Sequence, residues 1–145
     1  QDRNRAVLIG STSFGKGSVQ AINDLSNKGT LTFTWSQMTA PSGYTFDRIG
    51  LFPAICTTAS GIAPNDQIRS ALAHRDDMVA IMTKWRKLDY QNEKARQDLR
   101  NVCPARQGID ENDIDIALEL IKNLPGYKDL AQLPINEIAD TFASQ

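Results

Sequence analysis

Hydrophobic and polar positions divide this chain into two parts of different period. Ala6, Val7, Leu8 and Ile9 form a short unbroken apolar run between the charged residues 2–5 and Gly10, the pattern of a strand buried on both faces. Leu31, Phe33 and Trp35 alternate with Thr32 and Thr34, the period of a half-buried strand. Asn27, Lys28 and Gly29 carry turn chemistry before it, so residues 19–25 and 31–35 are expected to pair as a hairpin. Pro41 to Gly43 ends the next segment.

Past a small-residue connector over 57–64 the period lengthens. Asn65 or Asp66 is expected to cap a short helix through Ala73. Met78, Ile81, Met82, Trp85, Leu88, Asn92, Ala95, Leu99 and Val102 recur at three- and four-residue steps, which predicts one long helix that opens at Asp76 and Asp77 and ends at Pro104. Its Trp and Met positions read as packing. Asp113 is expected to cap a further helix carrying Ile114, Ala117, Leu118 and Ile121, stopped by Leu124-Pro-Gly126, and a last helix is expected over 135–142.

Composition bounds the function classes. The chain has 145 residues, 41% of them hydrophobic, enough for one domain with a core. With 16 basic and 17 acidic residues, net charge −1, there is no electrostatic case for nucleic acid or an acidic membrane surface. No run approaches the roughly 18 apolar residues of a membrane span, and no signal peptide is visible. His74 reads as a surface residue at a helix boundary. No histidine or cysteine cluster has metal-ligand spacing, so no metal and no cofactor is expected. Cys56 and Cys103 are either a bridge suited to an oxidising compartment or two buried thiols; the choice turns on whether their Cα atoms lie within about 7 Å.

The candidate chemistry is in residues 10–20. Gly15 and Gly17 tolerate a left-handed backbone and close approach, so they can present Lys16 beside another segment. An enclosed lysine loses charge more readily, and a neutral amine is a competent base for a serine hydroxyl, with Gln20 able to orient it. Residues 10–17 also satisfy G-x-x-x-x-G-K, but Gly17 stands where a phosphate loop needs Ser or Thr, and residues 18–25 alternate too much for the helix that should follow. Ser11, Ser13 and Ser18 are poor nucleophile candidates, because neighbours on one loop rarely reach back to the lysine with the required geometry.

Five blocks in order carry a resemblance: Arg5-Ala-x-x-Ile-Gly10, residues 13–20, residues 31–34, Ala40-Pro-Ser-Gly43 and residues 49–55. Together they resemble the carboxyl-terminal processing peptidases, or tail-specific proteases. The resemblance implies a Ser/Lys peptidase on a ClpP/crotonase-like α/β core, with Lys16 as general base and Gln20 as the residue that positions it. It further implies polypeptide substrates, a periplasmic or otherwise extracytoplasmic location, and a position near bound peptide for residues 34–38. Two departures stand out: Leu51 and Ala54 replace the family's isoleucine and aspartate around Pro53, and the family's nucleophilic serine precedes the lysine block, outside this chain.

The expected architecture is therefore α/β, with residues 1–60 as the C-terminal part of a Ser/Lys peptidase core and 61–145 as a helical C-terminal extension. A chain without the serine is expected to be inactive alone. The alternative is a non-enzymatic helical docking or oligomerisation module, and a homo-oligomer formed through the helical tail is compatible with both.

Overall fold

The computed structural model describes residues 1–59, 61–89, 91–108 and 110–135. It is a mixed α/β structure with two small sheets and five helices among those residues: β1 (Ile9–Gly10), β2 (Ser18–Asp24), β3 (Thr30–Gln37), β4 (Ile55–Cys56), α1 (Pro64–Ala73), α2 (Arg75–Arg86), α3 (Glu93–Arg100), α4 (Glu111–Lys122) and α5 (Leu124–Ala131).

The first apolar run is less strand-like than its sequence suggests. β1 pairs in parallel with β4, Ile9 beside Ile55, and the ladder begins where Leu8 O accepts the Ile55 amide at 3.1 Å. Ala6 is exposed and Val7 to Ile9 are half-buried, not buried on both faces, since β4 is the one strand beside β1 among the described residues. The hairpin forms as its turn chemistry dictates. Leu25 donates to Gly29 O at 2.8 Å, and Lys28 takes the left-handed conformation at φ 64°. The half-burial expected of β3 is not observed: every residue of it is exposed, Trp35 at 69%, because no layer of described residues covers the hairpin.

The helical part corrects several sequence expectations. Helix α1 starts on Pro64 at its first turn, with Ala63 as an N-cap that makes no side-chain bond; Asp66 lies in the first turn and pairs with Arg69. The single long helix is two, α2 and α3. Asp89 accepts the Gln91 amide on its side chain at 3.0 Å and the Asn92 amide on its carbonyl oxygen at 3.0 Å, and Asn92 then caps α3 by accepting from Ala95 N at 3.1 Å. Short polar side chains compete here with helix hydrogen bonds, which an apolar stripe alone does not reveal. Asp110, not Asp113, caps α4. Leu124-Pro-Gly126 ends α4 and also starts α5, where Asn123 accepts from Gly126 N at 3.2 Å. Apart from Ile135, the helix expected over 135–142 lies outside the described residues.

Two apolar clusters tie the halves together. Ile49, Phe52 and Ala54 pack with Met82 and Trp85, as the Trp/Met stripe predicts, and Ile55 packs with Ile68, Ile116, Leu120 and Leu130. Burying a side chain of this size contributes roughly 1.5–3 kcal/mol. The face of α4 turned to the core is therefore Ile116 and Leu120, while Ile114, Leu118 and Ile121 face solvent. A covalent tie adds to this: Cys56 and Cys103 are disulfide-bonded, their Cα atoms 5.9 Å apart.

Candidate active site

The loop after β1 is held by backbone and side-chain bonds before it reaches Lys16. Thr57 donates its amide to Gly10 O at 3.0 Å, and Ser13 exchanges two bonds with Leu51, its amide donating to Leu51 O at 3.1 Å and its hydroxyl accepting from Leu51 N at 2.8 Å. Ser11 Oγ accepts the Arg106 amide at 3.2 Å. Both hydroxyls are thus engaged with distant backbone, consistent with structural roles.

Lys16 sits at the centre of a γ-turn, in which Gly17 N donates to Gly15 O at 3.1 Å. The flanking glycines are sterically required. Gly15 has φ 88°, and a Cβ there would lie 2.6 Å from Gly50 N; a Cβ on Gly17 would lie 2.6 Å from Asp47 N. The turn is clamped from the other side, since Arg48 N donates to Gly15 O at 2.7 Å and Asp47 Oδ1 accepts from Gly17 N at 3.1 Å. A strand, β2, follows this loop where a phosphate loop would need a helix.

Gln20 lies on β2 opposite Thr34, beside a bulge in β3 whose extra residue is Trp35, between the Val19–Ser36 and Gln20–Thr34 pairs. The extra residue bends β3 locally and shifts the register that faces Gln20. Here Gln20 Nε2 donates to Thr34 Oγ1 at 3.5 Å. Lys16 and Gln20 line one open cleft of about 810 Å³, bordered also by Phe14, Thr34 and Gln37. Both side chains are exposed, so the enclosure that the sequence argument expects around Lys16 is not formed by the described residues.

Three cationic side chains on this cleft were not singled out by sequence: Arg48, Arg96 and Arg100. Arg48 adopts φ 61°, rare for a residue other than glycine. Arg96 and Arg100 stand four residues apart on α3, on one face of the helix. Arg100 Nη1 donates to Ser13 O at 3.2 Å and to Ile49 O, pinning α3 to both loops of the cleft. Burial, and secondarily the nearby charge of Arg96, push the Arg100 guanidinium pKa down. Asp89 and Asn92 were the available signal, because a helix break at that point brings α3 back against the lysine loop. His74 is exposed at the junction of α1 and α2, as expected, with Nδ1 at 2.8 Å from Ser70 O.

Residues 1–57 match the model of peptidase family S41. Over 55 residues the chain is 47% identical to a carboxy-terminal-processing protease of Bartonella bacilliformis, covering 38% of this chain and 13% of that protein. Over 58 residues it is 38% identical to the chloroplastic carboxyl-terminal-processing peptidase 3 of Arabidopsis thaliana, covering 39% of this chain and 11% of that protein. The chain thus matches about an eighth of the length of these relatives. No solved structure matches.

Proposed function

We propose, from the premise that residues 1–57 belong to peptidase family S41, that they supply the lysine half of a serine-type Ser/Lys endopeptidase site. One observation carries this reading: within the matched segment, two glycines and a bulged hairpin set Lys16 and Gln20 on the same cleft.

In the proposed reaction Lys16 Nζ takes the hydroxyl proton of a serine outside this chain as its oxygen attacks the peptide carbonyl. The ammonium then returns that proton to the leaving amine, and water hydrolyses the acyl-enzyme by the same base. Gln20, held by Thr34, positions the amine. In this reading residues 1–60 are the C-terminal part of a ClpP/crotonase-like core, 61–145 are a helical extension, and the chain alone is inactive. The substrates are extracytoplasmic polypeptides. The disulfide supports an oxidising, periplasm-like compartment, and among the described residues no helix is long and apolar enough to cross a membrane.

Hydrolysis of a denatured protein by the full-length enzyme, by its Lys16→Ala variant and by this chain alone tests the reading. Activity confined to the unmodified full-length enzyme supports it; activity that survives Lys16→Ala overturns it. A second reading, a helical docking or oligomerisation module, is favoured by the solvent-facing Ile114, Leu118 and Ile121 of α4, the last 65% exposed. Under that reading Leu118→Lys dissociates an oligomer measurable by sedimentation.

A further inference from the structure

Lys16 is exposed between two buried glycines, and each glycine is held by one of two consecutive residues. Arg48 N donates to Gly15 O at 2.7 Å, and Asp47 Oδ1 accepts from Gly17 N at 3.1 Å. Arg48 does so on a left-handed backbone, φ 61°, a strain that persists only where surrounding contacts enforce it. Those contacts reach the core. Ile49 is buried, Phe46 packs against the same apolar cluster, and the amides of Ile49 and Gly50 donate to Phe46 O at 3.3 and 2.9 Å. Gly50 O in turn accepts the Trp85 indole N–H, and Asp47 N donates to Thr45 Oγ1 at 3.2 Å. The Asp47 side chain, only 14% exposed, is oriented at both oxygens: Oδ1 meets Gly17 N, and Oδ2 lies 3.6 Å from Arg48 Nε.

We propose that Asp47 is the positioning residue of the lysine turn: its carboxylate, oriented by Arg48, fixes the Gly17 amide and through it the direction in which Lys16 enters the cleft. The proposal rests on the peptidase reading above and adds a residue to it. Asp47 acts on Lys16 through the Gly17 backbone and takes no proton in the reaction. The Gly17 amide has a second acceptor, Gly15 O at 3.1 Å, but that bond closes only a three-residue turn and ties it to nothing else. Asp47 supplies the tie to a distant segment, 30 residues along the chain, and a bond to an ionised acceptor is roughly twice as strong as one between neutral groups. The close approach explains why residue 17 is glycine, since a Cβ there would lie 2.6 Å from Asp47 N. A reacting group misplaced by about 1 Å costs about a hundredfold in rate, so a contact that holds the turn is felt in kcat.

Two measurements test the proposal, and the first involves no catalysis. Amide hydrogen exchange of Gly17 is followed by NMR in the 145-residue chain, in its Asp47→Ala variant and in its Asp47→Asn variant. Asp47→Ala is expected to speed Gly17 exchange about tenfold or more, the effect of losing one bond to a charged acceptor, while the amides of α1 keep their rates. Asp47→Asn retains a carbonyl oxygen that accepts from Gly17 N, so it recovers part of the protection. The second measurement is steady-state hydrolysis by the full-length protein carrying the same substitutions. Asp47→Ala is expected to lower kcat per folded molecule by about ten- to a hundredfold with little change in KM, and Asp47→Asn to restore part of it. Unchanged Gly17 exchange in Asp47→Ala, exchange that rises uniformly through the chain, a loss of activity that follows the folded fraction alone, or an Asp47→Asn variant no better than Asp47→Ala overturns the proposal. A full-length protein without hydrolytic activity overturns the peptidase reading instead, and the exchange measurement still decides whether Asp47 holds the turn.

Discussion

Trp85 on α2 donates its indole N–H to the carbonyl oxygen of Gly50, 3.0 Å away, in a buried bond between the helical part of the chain and the peptidase-matched segment. The ring also stacks at a tilt on Phe52, with centroids 5.0 Å apart. Trp85→Phe keeps most of the packing but leaves the Gly50 carbonyl without this donor, so unfolding free energy is expected to fall by about 1–3 kcal/mol. Trp85→Ala is expected to cost about 3–5 kcal/mol. Urea denaturation followed by circular dichroism measures both.

The disulfide closes a loop with a sequence separation of 47 and joins β4 to the segment directly after α3. By loop-closure entropy, its removal in a Cys56→Ala/Cys103→Ala double variant is expected to destabilise the fold by about 4 kcal/mol. Thermal unfolding of the wild-type chain with and without reductant should show the same sign. Because Cys103 lies three residues beyond Arg100, reduction is also expected to loosen the bonds by which Arg100 holds α3 to Ser13 O and Ile49 O.

Gly15→Ala introduces a Cβ into a left-handed backbone and against the Gly50 amide. The expected loss is about 2 kcal/mol or more, because strain and overlap add. Under the peptidase reading proposed above, a full-length protein carrying it should lose activity even where it remains folded, since the γ-turn that presents Lys16 is displaced. Comparing specific activity with the folded fraction by circular dichroism separates the two effects.

Tyr44 gives a pH prediction. Burial, reinforced by the charge of Asp2 and opposed by that of Arg86, raises its phenol pKa above the ordinary tyrosine value. The folded state therefore favours the neutral phenol. Its contribution is fully present below about pH 10 and is lost as pH rises through the folded value. Tyr44→Phe should flatten the alkaline limb of a stability profile recorded from about pH 8 to 11.

Asp2 and Arg86 form an ion pair whose side chains are 8% and 12% exposed, and Asp2 also accepts from the Ser42 amide at 3.0 Å and hydroxyl at 2.7 Å. Removing one partner of a buried pair leaves the other uncompensated. Asp2→Ala is expected to lower stability by about 3 kcal/mol, near the lower end for such pairs, because Arg86 keeps its bond to Ile135 O and its contact with the Tyr44 ring. Equilibrium denaturation of the variant checks this.

By itself the sequence determined the features that obey local rules. The turn at residues 27–29, the glycine-flanked lysine, the hairpin and the packing role of Met82 and Trp85 follow from backbone sterics and side-chain period, which neighbours in the chain decide. The ordered blocks between Arg5 and Ile55 likewise carried a resemblance without a structure, in the segment that matches the peptidase family S41 model over residues 1–57. Only the tertiary structure decided the rest. The periodic stripe from Met78 to Val102 fits one helix or two, and the break between α2 and α3 depended on Asp89 and Asn92 outcompeting helix bonds while α3 found contacts on the lysine loop. Helix α4 is apolar on two sides, so burial of Ile116 and Leu120 rather than Ile114, Leu118 and Ile121 was chosen by what α1, α5 and β4 offered. The choice between a bridge and two thiols, and the meeting of Arg48 with Arg96 and Arg100, depend on contacts across 47 residues or more. No local period encodes such contacts, because their energy is set by the surfaces that folding brings together.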